Sequence, residues 1–204
     1  MAALLDLLPG CPRSYLGVVR AASWLSRKFP VNNDHGAAID PDFYKLIIRL
    51  TGCSISHYRS EPLQSVKGMM LKLYDGKFAV FVSPKQSYCW RRFTLCKELC
   101  HVLTDGVWSP SGHVVTQLEL ASKPPSLTGA LSSEDFCFSL AVEIMIPDGF
   151  RDFAVANRGR LTDLDLAEKI KAPEWVVTFF FEKLYATSCM ARSVISLRPD
   201  DDDK

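Results

Sequence analysis

The sequence predicts an α+β domain that is rich in helix and has one small sheet containing a β-hairpin. Two apolar runs, residues 66–74 and 77–82, flank Asp75-Gly76, a dipeptide typical of hairpin turns. Most other apolar residues recur at helical spacing. Because 48% of the 204 residues are hydrophobic and 23% are charged, the composition is that of a globular protein with a core of ordinary size.

Start and stop signals bound the predicted helices. Gly52 follows the second helix, Ser83-Pro84 separates the hairpin from the third, and the fourth begins at Ser132 and ends before Pro147. In chain order, the predicted helices cover residues 14–29, 41–51, about 90–104, 132–146, 161–170 and 173–185, and residues 114–120 are predicted as a short strand or helix.

Charge and cysteine content weigh against several classes of protein. The net charge is +1, of which the acidic tail 200–204 contributes −3, so the remainder carries only +4 and predicts no nucleic-acid surface. This tail resembles an enteropeptidase recognition sequence from an expression tag, and we exclude it from the fold. Seven cysteines without framework spacing indicate reduced thiols and a cytoplasmic location. No apolar run reaches the length of a membrane span.

The segment Lys97-Glu98-Leu99-Cys100-His101 carries the chemical signal. Zinc peptidases place two histidines at i and i+4 on one helix, where both reach one ion, and a glutamate after the first activates the metal-bound water. Here Glu98 and His101 keep the glutamate and the second histidine. Lys97 stands at the position of the first histidine.

The chain resembles the ImmA/IrrE family of metallopeptidases over residues 65–150. That family has a helix reading roughly Arg-Phe-Thr-Leu-Ala-His-Glu-Leu-Gly-His after a hairpin, and a downstream helix of small and apolar residues ending at a proline. Here Cys96, Lys97 and Cys100 replace Ala, His and Gly, and the other positions match in residues 92–101, with the second block at 136–147. The resemblance implies a zincin-like core at 65–150, after an N-terminal helical region at 1–64 and before C-terminal helices at 151–199.

The resemblance also implies a third metal ligand, a glutamate on the downstream helix. Counting back from Pro147 without a gap puts Phe136 at that place. Glu134 lies two residues earlier, roughly 160° around the helix, and Glu143 lies on the same face but two turns along. Both glutamates stay open as ligands beside His101.

We expect Lys97 to impair the zinc site, because an ammonium has no lone pair and repels a metal ion. Our hypothesis is that Lys97 fills part of the space of the zinc and pairs with Glu98 or Glu143. Glu98 is then an ion-pair partner rather than a general base, and no metal is bound. If metal binds, we expect zinc, with His101 and Glu134 or Glu143 as ligands.

Three functions follow from these expectations. The first is a pseudo-peptidase that binds a protein partner through a zincin-type cleft; by resemblance the partner is a helix-turn-helix repressor or another regulatory protein of phages, mobile elements or stress responses. The second is an active zinc-dependent endopeptidase with a rearranged metal site, in which a thiolate can join His101 and a downstream carboxylate as a ligand. The third is an accessory module used only as a docking surface. We expect no membrane association and no direct nucleic-acid binding, since residues 161–185 lack a basic recognition helix.

Other conspicuous residues have plain structural interpretations. We expect the thiols of Cys96, Cys100 and Cys137 to pack in the core, and Arg91-Arg92 to be a solvated helix start. The aromatic group at Trp175 and Phe179–Phe181 is expected in the core with one ring exposed or covered by another chain. The remaining histidines are expected at the surface: His35, His57 and His113.

Overall fold

The computed structural model describes residues 13–28, 44–59, 67–104 and 128–196. In these ranges the protein is helix-rich with a small mixed sheet, which confirms the α+β class. The helices are α1 Tyr15–Lys28, α2 Tyr44–Thr51, α3 Tyr88–Leu103, α4 Ser133–Met145, α5 Asp148–Asn157, α6 Asp163–Ile170, α7 Glu174–Phe179 and α8 Tyr185–Ser196, with a π-helical turn Phe180–Leu184 between α7 and α8. The strands are β1 Ile55–Tyr58, β2 Gly68–Lys72 and β3 Phe78–Val82.

The predicted hairpin is confirmed as β2 and β3, which pair antiparallel. Its turn holds Gly76 at φ 77°, a left-handed conformation that glycine adopts at low cost. Lys77 N donates to Asp75 Oδ1 at 3.2 Å, and Leu73 N donates to Lys77 O at 2.8 Å. The sequence did not predict β1, which pairs parallel with β3 on its other side, so that the strand order is β1-β3-β2.

Helix α3 is central to the fold and carries the motif. It begins at Tyr88, where Ser87 caps it by accepting from Trp90 N. Every residue from Arg92 to Cys100 is buried, because α2, α4 and the sheet all pack around this helix. Over this stretch the helix is therefore buried on nearly all sides.

One hydrophobic cluster runs through all three regions that the sequence separated. Side chains of α1 and α2, of the sheet and α3, and of α5–α8 all belong to it. Tyr15, Phe93 and Phe180 are among its largest fully buried members. The described residues thus share a single core.

Arg92 corrects the prediction of a solvated Arg91-Arg92 pair. It is 2% exposed, and its Nη1 donates to Ile170 O at 2.9 Å and to Lys171 O at 2.8 Å. These carbonyls lie at the end of α6, where Lys171 is left-handed at φ 52°. Arg92 therefore caps α6 and fastens the C-terminal helices to α3.

The aromatic group is core, as predicted, but no ring of Phe179–Phe181 is exposed, so that part of the prediction is wrong. The guanidinium of Arg158 lies 4.5 Å from the centre of the Phe181 ring, and that of Arg151 lies 4.8 Å from Phe180. Cations thus cover the ring faces that helical spacing alone would leave to solvent. Trp175 is half-buried and stacks on Phe179 at 5.0 Å.

The remaining expectations concern a membrane span, the surface histidines and residues outside the described ranges. In the described ranges no helix is long and apolar enough to cross a membrane. His57 is exposed, as predicted, although it lies in β1. The following lie outside the described residues: His35, His113, the element at 114–120 and the tail 200–204.

Candidate functional site

Helices α3 and α4 bring four ionisable side chains together: Lys97, Glu98, His101 and Glu134. We call them the ion quartet. Lys97 and His101 lie one turn apart on the same face of α3, as their spacing predicts. Glu134 lies in the first turn of α4, where a carboxylate is favoured by the helix dipole, and reaches across to both of them.

Lys97 is the centre of the ion quartet. Its Nζ lies 3.0 Å from Glu98 Oε1 and 3.0 Å from Glu134 Oε2. The predicted ion pair with Glu98 is confirmed, and Glu134 is the second partner. Lys97 and Glu98 are both buried, whereas the Glu134 side chain is 36% exposed. The ammonium therefore bridges an inner carboxylate and an outer one.

His101 completes the ion quartet from the next turn of α3. Its Nε2 lies 3.0 Å from Glu134 Oε1, so the two oxygens of Glu134 are divided between Lys97 and His101. The Nε2 atom is buried, and among the described residues it makes no hydrogen bond of good alignment. The contact with Glu134 is thus an ion pair, which leaves Nε2 poorly satisfied as a donor.

The pKa shifts agree with this arrangement. Burial lowers the pKa of Lys97, but the carboxylates of Glu98 and Glu134 outweigh it, and the pKa lies above its usual range. Burial also lowers the pKa of His101, yet Cys137, Glu134 and Glu98 together raise it to about 10. For Glu134, burial raises the pKa, whereas His101 and Lys97 lower it to about 2. With His101 protonated, the ion quartet places two positively charged side chains, Lys97 and His101, against the carboxyl groups of Glu98 and Glu134.

Three thiols lie behind the ion quartet. Cys96, Cys100 and Cys137 are fully buried, which confirms their predicted place in the core. Cys137 Sγ lies 3.4 Å from Thr104 Oγ1. Burial is the main cause that raises the pKa of the Cys100 thiol. The Cys100 thiol is therefore a poor metal ligand, because zinc binds thiolate and burial opposes its formation there.

Glu143, the other candidate ligand and partner of Lys97, is engaged elsewhere. Tyr15 Oη donates to its Oε1 at 2.5 Å, and Arg151 Nη2 and Arg192 Nη2 donate to its Oε2 at 2.6 and 2.9 Å. Its side chain is fully buried. Burial raises the pKa of Glu143, but the two arginines outweigh it, and the net shift is downward. Glu143 therefore ties α1, α4, α5 and α8 together as a structural carboxylate, and Glu134 is the one that faces His101.

The donor set around Lys97 does not fit a zinc ion. The ammonium offers no lone pair, and its charge opposes a divalent cation beside it. In the part of the chain that the structure describes, no group of three or more His, Cys, Asp or Glu side chains is arranged to hold a metal ion. Of the predicted ligands, His101 and Glu134 are adjacent, but Lys97 bonds the carboxylates that the metal needs.

The edge strand β2 passes directly beside the ion quartet at Gly68. A Cβ on Gly68 would lie 2.2 Å from Thr94 Cγ2 and 3.0 Å from Glu98 Oε1, so only glycine fits against α3 at this point. Ser83 N donates to Lys67 O, and Leu73 N donates to Lys77 O, which fixes the residues of β2 that bond to β3. Because backbone groups alternate in direction along a strand, Gly68, Met70 and Lys72 direct theirs to the outer edge, and of these three residues Gly68 is buried. No described strand pairs there.

Sequence reasoning missed two features of this region. Gly68 carries no motif, and its close contact with Glu98 arises only when the sheet packs on α3. The partners of Glu143 are also scattered, since Tyr15 lies 128 residues away. Comparison with known proteins adds no identification: no family model, curated protein or solved structure matches the chain.

Proposed function

We propose that the chain is a zincin-like pseudo-peptidase, similar to the ImmA/IrrE family, that binds a protein partner through the cleft beside the ion quartet. The observation that carries this proposal is the position of Lys97 Nζ, 3.0 Å from both Glu98 Oε1 and Glu134 Oε2. A fixed side-chain cation thus stands where the resemblance expects a zinc ion.

This substitution removes both parts of the peptidase chemistry. A general base must accept a proton from a water molecule, and the resemblance gives this role to Glu98. In this chain an oxygen of Glu98 is bound by the ammonium of Lys97, so this oxygen is not free to contact a water molecule. The ammonium also cannot polarise a carbonyl as a Lewis acid does. In this proposal the ammonium of Lys97 takes over the positive charge of the metal ion, but the site does not hydrolyse a peptide bond.

Partner recognition does not need the metal. The outward backbone groups of Met70 and Lys72 offer hydrogen bonds to an extended segment that adds to the sheet. Such a segment would run past Glu98, because Gly68 touches that side chain. By resemblance, the partner is a helix-turn-helix repressor or a similar regulatory protein, recognised through an extended stretch rather than cut.

The test is metal uptake by the protein and by a Lys97→His variant, after dialysis against excess zinc. We expect no stoichiometric zinc in the unchanged protein and close to one zinc per chain in Lys97→His, because that variant supplies the missing imidazole beside His101 and Glu134. The matched control is Lys97→His combined with His101→Ala, which should lose the ion again. Cobalt substitution gives a second readout, since the visible spectrum reports tetrahedral coordination.

A second candidate function, an active zinc-dependent endopeptidase, has one observation in its favour. Glu134 lies 3.0 Å from His101 Nε2, and the same ammonium of Lys97 contacts both Glu134 and Glu98, so the motif residues lie close to a candidate carboxylate ligand. It needs Lys97 to leave the carboxylates and a further ligand to enter. Stoichiometric zinc in the unchanged protein, lost in His101→Ala, together with proteolysis lost in Glu98→Gln, would replace the first proposal with this one.

A further inference from the structure

The sheet side of the molecule is strongly basic. In the described residues 54–59 and 67–91, six side chains are basic and one, Asp75, is acidic. The C-terminal helices differ, because residues 148–196 contain seven basic and seven acidic side chains. The basic residues on the sheet side are Arg59, Lys67, Lys72, Lys77, Lys85 and Arg91. Two of them, Lys67 and Lys72, belong to the β2 edge, whereas Arg59 follows β1 at the opposite edge and Lys77 pairs with Asp75 at 2.6 Å.

Strand β2 places part of this charge along its outer edge. Lys67 is exposed and immediately precedes the strand, and Lys72 is exposed at its other end. The backbone groups of Met70, which is half-buried, and of Lys72 are directed outward, whereas Gly68 is buried against α3. A chain that pairs with β2 therefore passes along a strand with a lysine at each end, of which Lys72 holds its ammonium 5.9 Å from the centre of the Phe78 ring.

We propose that the outer edge of β2 binds an extended acidic peptide segment of the partner. This inference rests on the proposed function and names the chemistry of the segment. Backbone pairing supplies affinity, and glutamate or aspartate side chains on the segment meet the flanking lysines. The ion quartet does not oppose this, because Lys97 offsets the inner carboxylate of Glu98, which would otherwise repel an acidic chain.

The geometry favours a peptide over a nucleic acid, the other polyanion that a basic surface attracts. A row of outward N–H and C=O groups matches the backbone of a peptide, whereas a nucleic acid has no complementary ladder of alternating donors and acceptors. Gly68 also brings the edge close to α3, which suits a flat, extended chain rather than a helix of nucleic acid.

The experiment measures binding of labelled, end-blocked peptides by fluorescence anisotropy. The probes are a peptide of alternating glutamate and valine and its lysine–valine counterpart. We expect the acidic peptide to bind at least about tenfold more tightly, and its affinity to fall as salt is added. Equal binding of both peptides, or binding that salt does not weaken, would overturn the inference.

Two matched pairs of variants test the edge itself. Met70→Pro removes the outward N–H while leaving the bonds between β2 and β3, and Met70→Ala removes the same side chain but keeps the N–H. We expect a loss of about tenfold with Met70→Pro and clearly less with Met70→Ala. Lys67→Glu should weaken binding by about tenfold, and Lys183→Glu, the same charge change on the π-helical turn, by less than about twofold.

The outcomes separate this inference from the proposed function. Zinc content is measured on the same preparation. Stoichiometric zinc with the peptide preference intact overturns the proposed function alone, whereas a zinc-free protein that binds neither peptide overturns the acidic-peptide inference alone. A single-stranded oligonucleotide that competes for the lysines, with binding unchanged by Met70→Pro, would assign the basic surface to nucleic acid instead.

Discussion

Lys97 Nζ and Glu134 Oε2 lie 3.0 Å apart and join helix α3 to helix α4 through an ion pair. They lie 37 positions apart in the sequence, with the segment 105–127 between them, so this contact links distant parts of the chain. The same ammonium also holds Glu98, a buried carboxylate on its own helix. Lys97 is therefore both a link between helices and the counter-charge of a buried anion.

We predict that Lys97→Ala destabilises the protein by about 3 kcal/mol, because removing one member of a buried pair leaves an uncompensated charge. Exposure of Glu134 to water keeps the value near the low end of the usual range. Urea unfolding measures the change, and Lys183→Ala, which replaces an exposed lysine, is the control with less than about 0.5 kcal/mol. If the two variants were equally stable, Lys97 would not be the counter-charge described here.

Gly68→Ala is predicted to cost about 1–3 kcal/mol, because the added Cβ meets Thr94 Cγ2 at 2.2 Å. Combining it with Thr94→Ser should restore part of this loss, since serine lacks that methyl group and keeps the hydroxyl that donates to Gln86. Gly159→Ala serves as control, because nothing lies within 4 Å of its Cβ. Full stability of Gly68→Ala would show that β2 does not pass so close to α3.

Tyr15→Phe should destabilise the protein by about 1.5–3 kcal/mol, because it removes a hydrogen bond to the buried carboxylate of Glu143. The same variant should leave zinc uptake by the Lys97→His protein unchanged, since Glu143 is occupied by Arg151 and Arg192. Thermal unfolding and zinc content give the two readouts. A loss of zinc in Tyr15→Phe with Lys97→His would return Glu143 to the ligand set.

Sequence patterns predicted the elements that signal themselves locally. The hairpin followed from Asp75-Gly76 between apolar runs, and α4 followed from its serine caps. Strand β1 was missed because only one of its four residues, Ile55, is buried, so no apolar alternation marks it. Helix α5 was missed because one of its three buried residues is Arg151, which breaks the apolar period and is satisfied only by tertiary contacts.

The candidate site was predictable in its motif and only partly in its partners. Spacing on one helix placed Lys97, Glu98 and His101 together. The choice between Glu134 and Glu143 depends on how α4 crosses α3 and on which carboxylate the arginines bind, and neither is encoded in local spacing. Counting around one helix put Glu134 far from the expected ligand position, yet as a first-turn residue it reaches His101 across the helix pair.

The ion quartet predicts opposite pH limits to stability. Relative to ordinary values of 6.5 and 4.5, the pKa of His101 is raised to about 10 and that of Glu134 is lowered to about 2. Because the pKa of His101 is raised in the folded protein, the charge on His101 stabilises the fold fully below pH 6.5. This contribution is lost as the pH rises toward 10. Because the pKa of Glu134 is lowered in the folded protein, the charge on Glu134 stabilises the fold fully above pH 4.5. This contribution is lost as the pH falls toward 2. Both contributions are therefore present together between 4.5 and 6.5.

The test compares urea unfolding of the protein with that of His101→Gln at about pH 5.5 and about pH 9. The difference in unfolding free energy should narrow at the higher pH, because above pH 6.5 the unfolded chain releases the proton that folded His101 keeps, so that folding must take up a proton. His57→Gln, which replaces an exposed histidine, is the control. Its unfolding free energy should differ little from that of the unchanged protein, and the difference should not narrow between the two pH values. On the acid side, the gap to Glu134→Gln should narrow below pH 4.5 for the corresponding reason. A His101→Gln gap that widens with pH would mean that His101 is neutral in the fold, and the ion quartet would then carry a net negative charge.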